Sequence, residues 1–314
     1  MSSIRVALAG ATGNLGTVVL EALLSSGFGV TALTRRGGNS FKLKPHPNLT
    51  IEEVDFNSVE SLTAALVGAQ IVVSCVALSA MGDQDPLIDA AVTAGVMRFI
   101  PAEFGMDSAN PLCMQLPIVC ETKVKTQRRL KEKSKSTPGF TYTAIATGLF
   151  LDWCLKEKIL LNIPEHTATL YNGGDIKSSA TLLSDIAKVV LGVIAHQDET
   201  ANRMVYVHSA LITQNQLIQY VKDRDGKGWD TVVKDTEELR QECLVGLAAK
   251  DPEGGIETET LGLCLCGQFT PEYGCNFSDH LDNELLGIKE LGEDELRKLV
   301  ESFLEEEEDN VYTY

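Results

Sequence analysis

Residues 10–16, Gly-Ala-Thr-Gly-Asn-Leu-Gly, have the types and spacing of a phosphate-binding turn. Glycine permits a tight turn, and unpaired N–H groups at the start of a helix attract an anion. The turn follows an apolar run at 4–9 and precedes apolar residues at helical spacing, which is the context that a dinucleotide site requires. An ordinary glycine turn is the alternative. The predicted cofactor-binding residues here are Gly10, Thr12, Gly13, Asn14, Leu15 and Gly16.

Basic residues follow the second predicted strand, at 29–34. Folds that select NAD usually place an acidic residue at this point, where it binds the ribose hydroxyls. Arginines and lysines instead suit the 2′-phosphate of NADP, so the pattern favours NADPH over NADH; solvated loop charges are the alternative. The further cofactor-binding candidates are Arg35, Arg36 and Lys44, together with Asp55 and Phe56 after the third predicted strand.

Lys123 differs from the other lysines of the basic helical segment at 118–135. At about 100° per residue it shares a face with Cys120 and Leu130, whereas most of the charged residues lie on the other side. Burial generally favours the neutral form of an ammonium group, which makes an inward lysine usable as a general acid or base. The alternative is a lysine whose stem covers apolar surface while its ammonium stays in water. We predict that Lys123 points inward, where it is a candidate catalytic residue.

The first half of the chain alternates between strand and helix patterns. Predicted strands at 4–9, 29–34, 50–54, 70–76, 97–101 and 140–146 are separated by helical patterns near 58–67, 84–95 and 118–134. A parallel connection needs a crossover long enough to hold a helix, so this order predicts a parallel sheet covered on both faces.

After residue 150 the helical patterns lengthen and strand signals become fewer. Helices are predicted at 181–195, 213–223 and 294–304. We therefore predict an α/β fold: a doubly wound parallel Rossmann sheet at 1–150 that binds NADP, and a smaller, mostly helical substrate lobe at 151–314. The boundary is soft because both parts can share one sheet.

Composition excludes several classes of protein. Hydrophobic residues make up 44% of the 314 residues and charged residues 23%, as in soluble globular proteins. The apolar stretch at 71–78 is shorter than the roughly 20 residues of a membrane span. The first residues lack the pattern of a secretory signal, which predicts a cytoplasmic protein.

Charge is unevenly distributed along the chain. Residues 1–150 carry 13 basic and 12 acidic side chains, whereas the remainder carries 14 and 32. An acidic second half would repel a phosphodiester backbone, so we expect no nucleic-acid partner.

The eight cysteines are scattered, without the paired spacing and histidine partners of a zinc site. We therefore expect reduced thiols that pack as small apolar residues, and no metal.

Several segments resemble the isoflavone reductase and phenylcoumaran benzylic ether reductase family, within the NmrA-like atypical short-chain dehydrogenases. Residues 10–16 resemble its nucleotide turn, and Arg-Phe-Ile-Pro-Ala-Glu-Phe-Gly-Met-Asp at 98–107 resembles its Arg-Phe-x-Pro-Ser-Glu-Phe-Gly-x-Asp segment. Arg35 stands where the family has its 2′-phosphate arginine, and Lys123 where it has its active-site lysine. The Tyr-x-x-x-Lys pair of ordinary short-chain dehydrogenases is absent, as in an atypical member.

Two segments depart from the plant members of this family. The stretch at 146–153 lacks their Ser-Asn-x-Phe-type pattern, and both it and the segment at 281–289 are closer to fungal NmrA-like proteins. The resemblance therefore implies a fungal-type branch and does not carry the plant substrates over.

Together these patterns predict an NADPH-dependent reductase. Its substrate would be an aromatic or polyketide-like small molecule of secondary metabolism, with Lys123 as the general acid or base. We expect a monomer or homodimer with no membrane partner. The alternative is a non-catalytic redox sensor that binds the dinucleotide and acts through a protein partner. An inward Lys123 favours catalysis, because a sensor needs no proton donor.

Overall fold

The computed structural model describes residues 4–77, 84–249 and 257–304. Its strands are short, and half of them follow residue 148. They are β1 (Arg5–Ala9), β2 (Gly29–Arg35), β3 (Leu49–Val54), β4 (Ile71–Ser74), β5 (Arg98–Ile100), β6 (Thr141–Ala146), β7 (Leu149–Phe150), β8 (Thr167–Tyr171), β9 (Ser178–Thr181), β10 (Arg203–Tyr206), β11 (Ala210–Ile212) and β12 (Asp230–Lys234).

The helices connect these strands and cover the sheets. They are α1 (Asn14–Ser25), α2 (Val59–Ala65), α3 (Asp85–Thr93), α4 (Cys120–Ser136), α5 (Leu151–Lys156), α6 (Leu183–Ala195), α7 (Gln214–Asp225), α8 (Thr236–Ala249), α9 (Glu257–Phe269) and α10 (Glu293–Ser302). In the described residues, no helix combines the length and apolar character needed to cross a membrane.

Seven parallel strands form the main sheet, in the order β10-β6-β5-β4-β1-β2-β3. Its central strands are apolar on both faces because both faces are covered. Val19 of α1 and Val189 of α6 pack on one face, whereas Leu62 of α2, Ile88 of α3 and Leu130 of α4 pack on the other. The predicted doubly wound parallel sheet is confirmed.

The order of the strands reverses at β1. From β1 the chain moves outward through β2 and β3, and then returns to β4 on the other side. In sheets of this kind, ligands bind in the crevice at the carboxyl ends of the strands beside such a switch point. The turn at 10–16 and the segment after β4 lie there.

The second half of the chain contributes to the main sheet. β10 pairs in parallel with β6, and α6 packs against α1. The remaining strands form two small sheets, β11-β9-β7 and β12-β8. The sequence patterns missed the strands from β7 onward. These strands have two to five residues and lie outside the regular alternation of strands and helices that revealed the equally short β4 and β5. The patterns also missed α5, α8 and α9.

Arg98 links β5 to β6 and to the segment between α6 and β10, and it is 2% exposed. Its guanidinium donates to the hydroxyls of Thr141, Thr143 and Thr200 and to the main-chain oxygen of Gln197. Burial lowers the pKa of Arg98 to about 10. The first residue of the motif at 98–107 is therefore structural, since it lies at the amino end of β5, away from the carboxyl edge.

One pair of cysteines is oxidised. Cys113 and Cys120 form a disulfide, with their Cα atoms 5.5 Å apart. A 3₁₀ turn at Pro111–Gln115 folds back onto the start of α4 and brings the two residues together. The expectation of reduced thiols was wrong for this pair and holds for the free cysteines at 75, 154, 243, 264, 266 and 275.

Candidate active site

The glycines of the first turn allow close main-chain packing. Gly10 has φ +80°, and a Cβ there would overlap the carbonyl oxygen of Cys75, after β4. A Cβ on Gly16 would overlap the carbonyl oxygen of Gly10. Both positions therefore require glycine, and the turn rests directly on the neighbouring strand.

The first turn of α1 is open to a ligand. Gly13 is its N-cap and has no side chain to cap the first N–H groups, and the first turn contains no acidic residue. Gly10, Thr12, Gly13, Asn14 and Leu15 line a large cavity at this point. Free N–H groups and the positive end of the helix dipole suit an anionic diphosphate. The residues present fit the predicted dinucleotide.

Arg35 and Arg36 lie in different places. Arg35 ends β2 at the cavity wall, is exposed, and has no carboxylate partner in the part of the chain that the structure describes. Arg36 instead lines a separate depression that also includes Glu52 and Glu53. The structure therefore brings only the first arginine of the pair to the cavity.

Of the other predicted cofactor-binding residues after β2 and β3, one lines the cavity and two do not. Phe56 lines the cavity beside Asn57. Asp55 does not line it, and its carboxylate accepts a hydrogen bond from the Asn57 N–H at 2.9 Å. Lys44 is exposed and lies outside the cavity lining. Asp55 thus acts in the turn that precedes α2.

The cavity has a volume of about 940 Å³ and continues beyond the nucleotide turn. It passes the segments that follow β4, β5 and β6 and reaches α4 and α9. One lining residue follows each of the strands β1, β4, β5 and β6: Gly10, Cys75, Gly105 and Gly148. A ligand bound at the turn and a second molecule near α4 would share one space.

Lys123 borders the middle of this cavity and is 5% exposed, so it points inward as the helical spacing predicts. Its Nζ donates to the main-chain oxygen of Glu103. A Cβ on Gly105 would lie 3.1 Å from Nζ, so the glycine leaves room for the ammonium group beside the chain after β5. The motif at 98–107 thus forms the part of the protein that Lys123 Nζ contacts.

Glu103 is buried behind Lys123. Its carboxylate accepts hydrogen bonds from Ser108 and from Gln127, one turn along α4 from the lysine. Burial raises the pKa of Glu103, while Lys123 and these two hydrogen bonds act in the opposite direction. In the sequence this glutamate is distinguished only as part of the motif at 98–107, because its partners meet it only when α4 folds over the loop.

Beyond Lys123 the cavity becomes an apolar chamber. Phe150, Trp153 and Ile159 form one wall, and Leu261 and Leu265 of α9 form another. The stretch after Ala146 therefore shapes the chamber. The α9 wall was missed, although its cavity-lining residues recur at helical spacing.

Cys264 of α9 also borders the chamber. Burial raises the pKa of its thiol to about 11, against a smaller lowering by Lys123. The thiol is therefore protonated near neutral pH and is a poor nucleophile.

A family model, the NmrA-like family, matches residues 2–244. The chain belongs to the NmrA-like family. This NmrA-like chain is 31% identical over 249 residues to "Oxidoreductase aprR" of Aspergillus flavus, covering 78% of this chain and 82% of that protein. It is 29% identical over 300 residues to "Oxidoreductase poxI" of Penicillium oxalicum, with 93% and 92% covered.

A solved structure shares the NmrA-like fold. The binary complex of leucoanthocyanidin reductase and NADPH from Vitis vinifera aligns with a TM-score of 0.75, covering 96% of this chain and 100% of that one at 20% identity. The resemblance stated from the motifs is thereby confirmed at the level of the family and its fold.

Proposed function

We propose that this NmrA-like protein is an NADPH-dependent reductase that transfers a hydride to an aromatic or secondary-metabolite-like small molecule, with Lys123 as its general acid. The observation that carries the proposal is the continuous cavity that joins the nucleotide turn, the buried lysine and the apolar chamber. The names of the two fungal relatives, both oxidoreductases, support the class of reaction.

The cofactor would lie along the carboxyl edge of the sheet. The uncapped first turn of α1 would bind the diphosphate, and Arg35 would bind the 2′-phosphate, for which it has both exposure and an unshared charge. When bound, NADPH supplies the hydride. Bound NADPH in the leucoanthocyanidin reductase structure supports this choice of cofactor.

Lys123 would supply the proton. Its ammonium is held by the main-chain oxygen of Glu103, so the side chain cannot turn away into solvent. From that position Nζ borders the passage between the nucleotide turn and the chamber. The apolar walls exclude water around it, which strengthens any hydrogen bond from Nζ to the reacting atom.

Replacement of Lys123 tests the proposal. NADPH oxidation would be followed against aromatic ketones, quinones, enones and benzylic ethers. We expect Lys123→Ala to lower turnover about 10²- to 10⁴-fold, the usual contribution of a general acid, with NADPH affinity nearly unchanged. Lys125→Ala is the matched control, since Lys125 lies on the exposed side of the same helix and pairs with Asp85.

The outcomes separate the reductase from the sensor. Full turnover by Lys123→Ala would remove the lysine from the mechanism. Tight binding of NADPH without oxidation by any compound, in both native protein and variant, would favour the sensor instead.

A further inference from the structure

One face of α9 forms a wall of the chamber. Leu261, Cys264, Leu265 and Gln268 all border the cavity, and their spacing places them on one side of the helix. The first three present alkyl groups and a protonated thiol. Gln268, at the end of this row, brings a primary amide to the cavity although the residue is only 4% exposed.

The amide nitrogen of Gln268 is engaged behind the wall. Nε2 donates to the hydroxyl of Ser178 and, at 3.0 Å, to the main-chain oxygen of Ser179. A main-chain carbonyl can only accept, so reversing the amide would set two oxygens against each other. The nitrogen is therefore fixed towards β9, and Oε1 is held on the other side of the amide.

Ser179 itself is held from several directions. Its N–H donates to the oxygen of Cys275 at 2.8 Å, and its hydroxyl accepts from the Phe277 N–H at 2.9 Å. Gly148, at φ +62°, approaches so closely that a Cβ there would overlap the Ser179 oxygen. Gln268 is thus anchored to a rigid part of the protein, which a specificity-determining residue requires.

The helix turn that carries Gln268 is also fixed. A Cβ on Gly267 would lie 2.7 Å from the Met106 Cε atom and 2.9 Å from a methyl carbon of Leu116. α9 therefore packs directly on the chain segment that leads from β5 to α4. Gln268 and Lys123 therefore have fixed positions relative to each other, and both line the same cavity.

The oxygen of the Gln268 amide has no donor among the described residues. Five side-chain atoms in the described residues are fully enclosed without a partner, and Gln268 Oε1 is not among them. It therefore borders open space, and the space that Gln268 lines is the cavity. A ligand that covers such an acceptor without offering it a donor binds less tightly, because the oxygen loses its water and gains no partner.

We propose that Gln268 Oε1 accepts a hydrogen bond from a hydroxyl group of the substrate, and so selects hydroxylated aromatic compounds over their methyl ethers. The proposal rests on the proposed function, because it takes the chamber as the substrate site. Apolar residues such as Leu261 and Leu265 suit an aromatic ring, and a fixed acceptor beside them suits a hydroxyl. An ether oxygen can only accept, so it would leave Oε1 unpaired.

Binding of three matched enones to the full chain loaded with NADP⁺ tests the proposal. The probes are 4-hydroxybenzylideneacetone, 4-methoxybenzylideneacetone and benzylideneacetone, measured by calorimetry. We expect the hydroxylated compound to bind about 3- to 10-fold more tightly than the other two, the effect of one neutral hydrogen bond. Gln268→Met should abolish the difference, whereas Leu265→Met, on the same wall, should preserve it.

Three results would overturn the assignment: equal affinities in the native protein, a preference that persists in Gln268→Met, or no binding of any probe. If the variant fails to fold, the native comparison still decides, together with a crystal structure of the hydroxylated complex. Its hydroxyl must lie within hydrogen-bond distance of Oε1, about 2.5–3.0 Å. Since binding needs no turnover, a clear preference without NADPH oxidation would refute the reductase and leave Gln268 in place.

Discussion

The two ends of the cavity are built in different ways. The nucleotide end consists mainly of main chain: Gly10, Gly13 and the open turn of α1 provide its shape and its donors. The chamber end consists of side chains from α4, α5 and α9, which lie far apart along the chain. A main-chain site depends on a few consecutive residues, whereas a side-chain site can change its lining without changing the fold.

Gly10 offers the largest test of this difference. In Gly10→Ala the new Cβ would overlap the Cys75 oxygen at a positive φ, so we expect a loss of about 3 kcal/mol in the free energy of unfolding, and NADPH binding lost with it. Gly27→Ala is the control, because Gly27 has a similar φ of +81° and nothing within 4 Å of an added Cβ. It should lose only about 1 kcal/mol.

Denaturant unfolding and NADPH titration of both variants give the comparison. A Gly10→Ala protein as stable as Gly27→Ala would show that the turn tolerates a side chain, and the main-chain account of this end would be wrong.

Arg35 sharpens the comparison, since it is the side chain on which the nucleotide end would depend. We expect Arg35→Ala to weaken NADPH binding about 10- to 100-fold through loss of a charge-assisted contact, and to leave NADH binding unchanged. Arg36→Ala is the matched control, because Arg36 lies outside the cavity. Titrations of both cofactors measure the effect, and an equal loss of affinity for NADPH and NADH would contradict it.

Replacement of Glu103 has the smallest expected effect, and it tests the chamber end through the pH dependence of the free energy of unfolding. Burial raises its pKa above the ordinary value of 4.5, so the folded protein retains a proton that the unfolded chain releases in the window above that value. The free energy of unfolding therefore falls as pH rises through this window, and Glu103→Gln should lack that fall.

We expect a difference on the order of 1 kcal/mol between native protein and Glu103→Gln, growing from pH 4 to pH 7. Urea unfolding at several pH values measures it, with Glu132→Gln on the exposed face of α4 as control. Parallel curves for native protein and Glu103→Gln would mean that the buried carboxyl titrates normally.

Features set by neighbouring residues could be read from the sequence. The alternation of strands and helices, the turn at 10–16 and the inward face of α4 each depend on a short periodic stretch. The partners of Glu103 and the α9 wall could not be read in this way, because they depend on packing between distant segments. The helical spacing of Leu261, Leu265 and Gln268 was visible, but nothing local indicated what that face would meet.

The disulfide and the division of the two arginines were missed for a related reason. Cys113 and Cys120 meet only because a 3₁₀ turn reverses the chain, and spacing alone does not predict that reversal. Arg35 is the last residue of β2, whereas Arg36 lies in the turn that follows, and the two side chains line different cavities. Only one of two adjacent cations could therefore serve the same ligand.

The position of β10 has a consequence for synthesis of the protein. While residues 1–150 leave the ribosome, the outer edge of β6 has no neighbour, and the face of α1 that packs on α6 remains uncovered. The helix face is covered only when α6, which ends at Ala195, has emerged, and the strand edge only when residue 206 has emerged. The nascent chain therefore displays an open strand edge for the time needed to translate more than fifty codons, and an apolar helix face for most of that time. A chaperone could bind both during this period.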